Sequence, residues 1–278
     1  MPQPALTIVS LIRSPALAES CIQGLKGGRY RLVPLDPADD PVRELEGRRE
    51  EFDALLLEEG SVDAILFGAL QALGLQWPAV VIGPVSGKVL FHDAEVRLPP
   101  DQLEQLSYSL DAAVSRFLRR TIRPLPDGWK LPNRLQGRLG YLGVYYKRDP
   151  SRFLRNLPAG ERSDLLGSLT RTYRDLLISY FKDPAAANQA IESFVNTAFF
   201  ADLPITRTVE IHMVLIEEIR KQLMLKGQKN DFLQDYRLAL LDVMAHLCEM
   251  YRRSVPPDLP VVSGALPESH SPSTSPLP

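Results

Sequence analysis

The chain is poor in the residues that most often carry chemistry. It has two cysteines and four histidines in 278 residues. Cys21 and Cys248 lie far apart with no export signal ahead of them, so two buried thiols are expected rather than a disulfide. Neither His212 nor His246 has a second His, Cys or carboxylate at metal-ligand spacing such as HExxH. His92 stands alone at the mouth of an expected strand and reads as a hydrogen-bonded structural residue. There is no GxSxG, and no GxGxxG follows the first apolar run. The run "GPVSGKV", Gly83 to Val89, is one residue short of a phosphate-binding loop, with Val89 where Ser or Thr should hold magnesium. It reads as a flexible turn. A catalytic set scattered along the chain stays open in principle, but no residue is singled out for it. No run of 18 apolar residues exists, so no membrane span is expected. The start "MPQPALTIVSLIRSP" has no basic segment ahead of its apolar run, and a cytoplasmic protein is expected.

What is present is 45% apolar and 24% charged, the make-up of a globular protein, in a length that suits two domains. The net charge of −2 is unevenly spread. Residues 1–130 carry 14 Lys+Arg against 18 Asp+Glu, or −4; residues 131–255 carry 18 against 14, or +4; the remainder holds two acids. A mildly basic second half suits an acidic peptide partner and falls well short of a dedicated DNA-binding field.

The first half alternates short apolar runs with helix-like stretches. "LTIVSLI", "RYRLVPL", "FDALLLE", "PAVVIG" and "AEVRLP" read as five strands, with helices near 15–26, 39–50, 61–73 and 101–120. The last has apolar or aromatic residues at 103, 106, 110, 114, 117 and 118. Continuous apolar strands between helices predict a parallel sheet covered on both faces, of flavodoxin-like size. This half resembles a response-regulator receiver. "FDALLLE" has the shape of the receiver's third strand, but Glu58 stands at the place of the phospho-accepting Asp. Ser10 and Leu11 stand where an acidic pair should hold magnesium, Gly83 where Thr or Ser should end the fourth strand, and Leu98 where Lys should precede Pro99. Phosphoryl transfer needs clustered carboxylates and charge-neutralising groups, and all these places are changed together. The expectation is a pseudo-receiver with the chemistry lost; a generic α/β domain is the other reading.

The second half is helical and over-apolar. Four segments are expected, near 160–181, 184–201, 205–226 and 230–254. Asp183–Pro184 is a cap followed by Pro at the first helical position, Pro204 opens the third segment likewise, Gly227 suits a helix end, and Asn230 caps the fourth. Short connections predict an antiparallel four-helix bundle. On the fourth helix Leu233, Tyr236, Leu240, Val243, Leu247 and Met250 form one packing seam, and Leu238, Leu241, Ala245 and Cys248 form a second. The third is equally broad, with Ile211, Met213, Val214, Leu215, Ile216, Ile219 and Leu223. An edge helix of a monomer needs one stripe only. Either a second copy covers the surplus or the first domain does. Phe199 and Phe200 are adjacent in "FVNTAFFAD": either one faces an interface or the helix is sandwiched and both are core.

Between the halves, "TIRPLPDGWKLP" reads as a linker, and Leu135, Leu139, Leu142 and Tyr146 recur at helical spacing. Asp149–Pro150 opens a second short helix, "SRFLRNL", whose arginines are expected on its wet face. The segment is read as a packed connector rather than a nucleic-acid strip.

"LGYLGVYYKRDPSRFLRNLP", "FVNTAFFADLPIT", "VEIHMVLIEEI" and "DYRLALLDVMAHLCEMYRRS" closely resemble the KaiA family of cyanobacterial circadian clock proteins. The resemblance is dense from about 135 to 254 and rests on the pseudo-receiver pattern before that. It implies the layout: pseudo-receiver 1–120, linker 121–158 exchanged between protomers, dimerising bundle 159–255, and a Pro/Ser-rich tail 256–278. It also implies a homodimer that is not an enzyme, binds the C-terminal tail of the clock kinase KaiC, stimulates its autophosphorylation and is sequestered by a KaiB–KaiC complex. No resident cofactor is implied, although the family's pseudo-receiver is linked to oxidised quinones. Carried over by matched strings, Phe199, Phe200, Glu210, His212, Asp242 and His246 are expected at the partner-binding or dimer surface. Met224 stands where the family pattern has a basic residue, so no charged contact is carried over there. The alternative function is a receiver with a helical, nucleic-acid-binding output domain.

Overall fold

The structure, a computed structural model, describes residues 6–26, 29–36, 39–61, 64–120, 131–132, 134–135, 148–226 and 231–254. The predicted helix through Leu139, Leu142 and Tyr146, Gly227, Asn230 and the tail 256–278 lie outside them.

The five expected strands form one parallel sheet: β1 Leu6–Leu11, β2 Tyr30–Pro34, β3 Ala54–Glu58, β4 Ala79–Ile82 and β5 Val96–Leu98, in the order β2-β1-β3-β4-β5. This is the flavodoxin-like order. β1, β4 and β5 are buried throughout, and β3 is buried up to Glu58, because helices lie on both faces of the sheet. The helices start where local chemistry says they should. Ser14 caps α1 (Pro15–Gly24) and Asp40 caps α2 (Pro41–Gly47), each with Pro at the first turn. α3 spans Ala64–Ala72, and α4 spans Leu106–Arg120. His92 takes its predicted structural role: Nε2 lies 2.7 Å from the Trp77 carbonyl and Nδ1 accepts from the Ala94 amide at 3.2 Å.

α4 is buried beyond its apolar stripe, and Ser109, Asp111 and Ser115 are buried with it. One side packs on β4 and β5, the other on the bundle. The bundle is α5 (Ala159–Ser179), α6 (Pro184–Phe200), α7 (Ile205–Leu225) and α8 (Arg237–Ser254). Asp183 caps α6 by accepting from the Ala185 and Ala186 amides. Pro204 itself is the residue before α7 and makes no side-chain cap; the chain turns there through Asp202 at φ 53°. The fourth segment starts as a 3-10 helix, Asp231–Tyr236, and becomes α-helical only at Arg237.

The predicted helix "SRFLRNL" is instead two 3-10 turns, Pro150–Arg152 and Leu154–Asn156. Arg152 is not on a wet face. Its guanidinium lies 4.5 Å from the Tyr108 ring centre and pairs with Asp111 at 3.1 Å, beside Arg29 and the Tyr30 hydroxyl. Arg148 sits over the rings of Phe199, Phe153 and Tyr251, 4.9–5.4 Å from their centres, and pairs with Asp202 at 2.7 Å. These arginines pack by their flat faces, which outweighs exposure for a weakly hydrated cation.

Candidate functional site

Two regions can be built from the residues upward: the mouth of the sheet and the outer face of the bundle.

At the mouth, the side chains where a receiver keeps its chemistry do structural work. Ser10 and Leu11 are buried in β1, and Leu98 is fully buried in β5. Glu58 reaches past the end of β3: its Oε2 accepts from the Arg13 amide at 2.7 Å and the Ser14 amide at 3.0 Å, just ahead of α1. A built-in carboxylate thus satisfies free amides at a helix N-terminus, where a phosphoryl oxygen would otherwise be favoured. Gly83 follows β4, and a Cβ there would stand 2.8 Å from the Glu59 Cβ. Arg97, one residue before Leu98, is drawn to Glu59 at 2.7 Å rather than to Glu58. Leu11 and Leu98 carry no charge to hold a cation or neutralise a phosphoryl group.

On the bundle, the six expected surface residues divide. Phe199, Phe200 and His212 are core residues of the single chain, at 0, 2 and 3% exposure, which corrects their placement at a surface. For Phe199 and Phe200 the reason is that α6 is sandwiched between α4 on one side and α5 and α8 on the other, the second of the two readings left open above; His212 is on α7, where that helix packs on α5. His212 Nδ1 lies 3.1 Å from the Tyr173 hydroxyl in a ring cluster with Phe194, and burial holds the imidazole below its ordinary value of 6.5. Asp242, His246 and Glu210 are exposed. Asp242 accepts from the Tyr180 hydroxyl, whose pKa burial and that carboxylate push up to about 12. His246 Nδ1 lies 2.8 Å from the Asp242 carbonyl, so it carries the proton and donates. Glu210 pairs with Arg207 at 2.6 Å on the solvent side of α7.

His246 borders a groove of about 460 Å³ between α4, α6 and α8, with Arg116, Arg119, Val195, Met250 and Arg253 among its walls. Beside it the surplus apolar surface stays open. The first seam of α8 is buried at Val243 and Leu247, whereas Leu238 and Leu241 of the second seam are 53 and 63% exposed. On α7, Met213 and Val214 are 61 and 55% exposed. Among the described residues the first domain packs mainly on α6.

Sequence reasoning missed Arg148, Arg152, Tyr180 and Gln189. None has a local signature, because the carboxylates and backbone groups that hold them lie tens of residues away. Only Arg148 and Arg152 sat in a stretch whose mix of arginine and aromatics hinted at stacking.

A sequence model described as "KaiA C-terminal domain" matches residues 137–258, and one described as "Circadian clock protein KaiA, N-terminal domain" matches residues 6–121. The chain belongs to the KaiA family of circadian clock proteins. The circadian clock oscillator protein KaiA of Parasynechococcus marenigrum (strain WH8102) is 57% identical over 274 residues, 94% of this chain and 93% of the relative. That of Synechococcus elongatus (strain ATCC 33912 / PCC 7942 / FACHB-805) is 40% identical over 279 residues, 90% of this chain and 98% of the relative. Among solved structures, the C-terminal domain of Thermosynechococcus elongatus BP-1 KaiA is 49% identical and covers 36% of this chain and 93% of its own, with a TM-score of 0.33. The two KaiA matches fall on the two structural halves, so the sheet unit is the family's N-terminal domain and the bundle lies in its C-terminal domain. Among the described residues no helix is long and apolar enough to cross a membrane.

Proposed function

We propose that this KaiA-family chain is a non-catalytic, homodimeric activator of the clock kinase KaiC. It binds the C-terminal tail of KaiC, raises KaiC autophosphorylation and is withdrawn when a KaiB–KaiC complex captures it. It works in the cytoplasm and without a resident cofactor; oxidised quinone at the pseudo-receiver is an optional ligand. The observation that carries the reading is the apolar surface left open on each of the last two helices, at Met213 and Val214 of α7 and at Leu238 and Leu241 of α8. A face of this kind is unfavourable in water and suits a second copy related by a two-fold axis. Asp242, His246 and the groove beside them would then border the paired face and supply polar contacts for a peptide. An activator of this type needs no chemistry of its own: it favours one kinase conformation by binding it more tightly.

The test is KaiC phosphorylation followed over hours with the full chain, with residues 155–254 alone, and with neither. Both additions are expected to raise the phosphorylated fraction above that of KaiC alone. No rise with the full chain overturns the proposal.

A further inference from the structure

The turn Gly83–Val89 clasps the bundle. Gln189, on α6, accepts at Oε1 from the Gly87 amide at 2.8 Å and the Ser86 amide at 3.2 Å, and its Nε2 donates to the Lys88 carbonyl at 3.0 Å. One side chain thus satisfies three backbone groups of the other domain. Gly87 has φ +72°, and a Cβ there would stand 2.4 Å from the Ala185 Cβ and 3.0 Å from the Ala185 carbonyl carbon. Glycine is required both by the backbone and by the approach.

We propose that the clasp is a breakable latch: the pseudo-receiver exchanges between a state docked on α6 and an undocked state, and the Gly87–Gln189 contact sets the balance. Two features support this. The interface carries a polar cluster: Gln105 donates to the Ser168 and Thr172 hydroxyls at 2.9 and 2.7 Å and accepts from Thr197 at 2.7 Å. Such groups exchange protein partners for water at little net cost. Docking also leaves polar atoms unsatisfied. Among the described residues Ser86 Oγ, Ser193 Oγ and Arg97 Nη2 find no hydrogen-bond partner, and Ser193 and Arg97 line a cavity of about 270 Å³ between α6 and the β4–β5 segment. Undocking returns these atoms to water. The turns at 148–158 bridge the two sides, held to the bundle by the Leu154 amide on the Ala201 carbonyl at 2.7 Å and by Arg148 on Asp202, and to the first domain by Arg152 on Asp111 at 3.1 Å. A ligand that binds either surface preferentially would shift the balance. The clasp lies on a different helix from the open apolar residues of α7 and α8, so the latch does not depend on the kinase reading.

The test uses the full chain, native and as Gly87→Ala, Gln189→Ala and Gly47→Ala. The last is a control, because a Cβ at Gly47 meets nothing within 4 Å. The reporter is hydroxyl-radical labelling of Tyr108, which is 4% exposed beneath Arg152, at a separate part of the interface. Amide exchange of β1, β3 and α5 is followed in parallel. Both clasp variants are expected to raise Tyr108 labelling about ten-fold as the ring becomes accessible, with strand and α5 protection unchanged and the control like the native chain. Native-like labelling in either clasp variant overturns the proposal. So does a loss of protection in β1, β3 or α5 alongside the rise, because docking and folding would then be one event.

Discussion

Leu241→Glu puts the proposed pairing of α7 and α8 to its sharpest test. Burying a whole leucine side chain contributes about 1.5–3 kcal/mol. Leu241 keeps 63% of its surface open in the single chain, so covering the rest is worth about 1–2 kcal/mol. A two-fold axis applies the loss to both copies, giving about 2–4 kcal/mol before the cost of bringing two carboxylates into an apolar contact. At about 1.4 kcal/mol per factor of ten, the dimer dissociation constant should rise by about 30-fold to 1,000-fold. Sedimentation velocity over a range of concentrations reads this directly. Ile65→Glu is the control: Ile65 is 81% exposed on α3, away from the bundle, and the substitution should leave assembly unchanged. A native chain that stays monomeric at tens of micromolar, or a Leu241→Glu dimer as tight as the native one, refutes the reasoning.

His92 and His212 are buried and held below the ordinary imidazole value of 6.5, chiefly by burial. The unfolded chain therefore takes up protons that the folded chain refuses, and stability is full above about pH 6.5 and falls as pH drops below it. The urea midpoint should decrease from pH 7 to pH 5.5, and His212→Gln should flatten that slope; a native midpoint that is level across this range contradicts the assignment. At the mouth of the sheet, Glu58→Asp restores the receiver's acceptor residue but leaves Leu11 and Leu98 in place. Incubation with acetyl phosphate and Mg²⁺ should give no phosphorylation of either the native chain or the variant, and label at the substituted position would show that the lost groups were not required.

Much of this was legible from local pattern. Apolar runs of strand length and Asp183–Pro184 announce elements within a few residues, because backbone geometry and capping act over one turn. The double seam of α8 was equally readable, and the structure buries the first seam at Leu233, Val243 and Leu247 and leaves Leu238 and Leu241 of the second open. The candidate site was only half legible. His212 and His246 look alike as sequence, yet one lies in a ring cluster and the other faces water, since burial depends on which neighbours a helix acquires. "SRFLRNL" shows the same limit: the Asp149–Pro150 start suggested a helix, and the stacking of Arg152 on Tyr108 was invisible in it.

The sequence by itself determined the order of strands and helices, the fold class of each half, the residue types that stand at Glu58, Leu11 and Leu98 in place of the receiver's, and an apolar surplus on the last two helices. All of these follow from residue types and from periods shorter than two helical turns. Only the tertiary structure decided that Gly87 meets Gln189, that Asp111 gathers Arg29 and Arg152, and that Phe199 and Phe200 are both core. Those contacts join residues tens to a hundred positions apart. Their free energy comes from two surfaces meeting, and neither surface carries a mark of the other in its own stretch of chain.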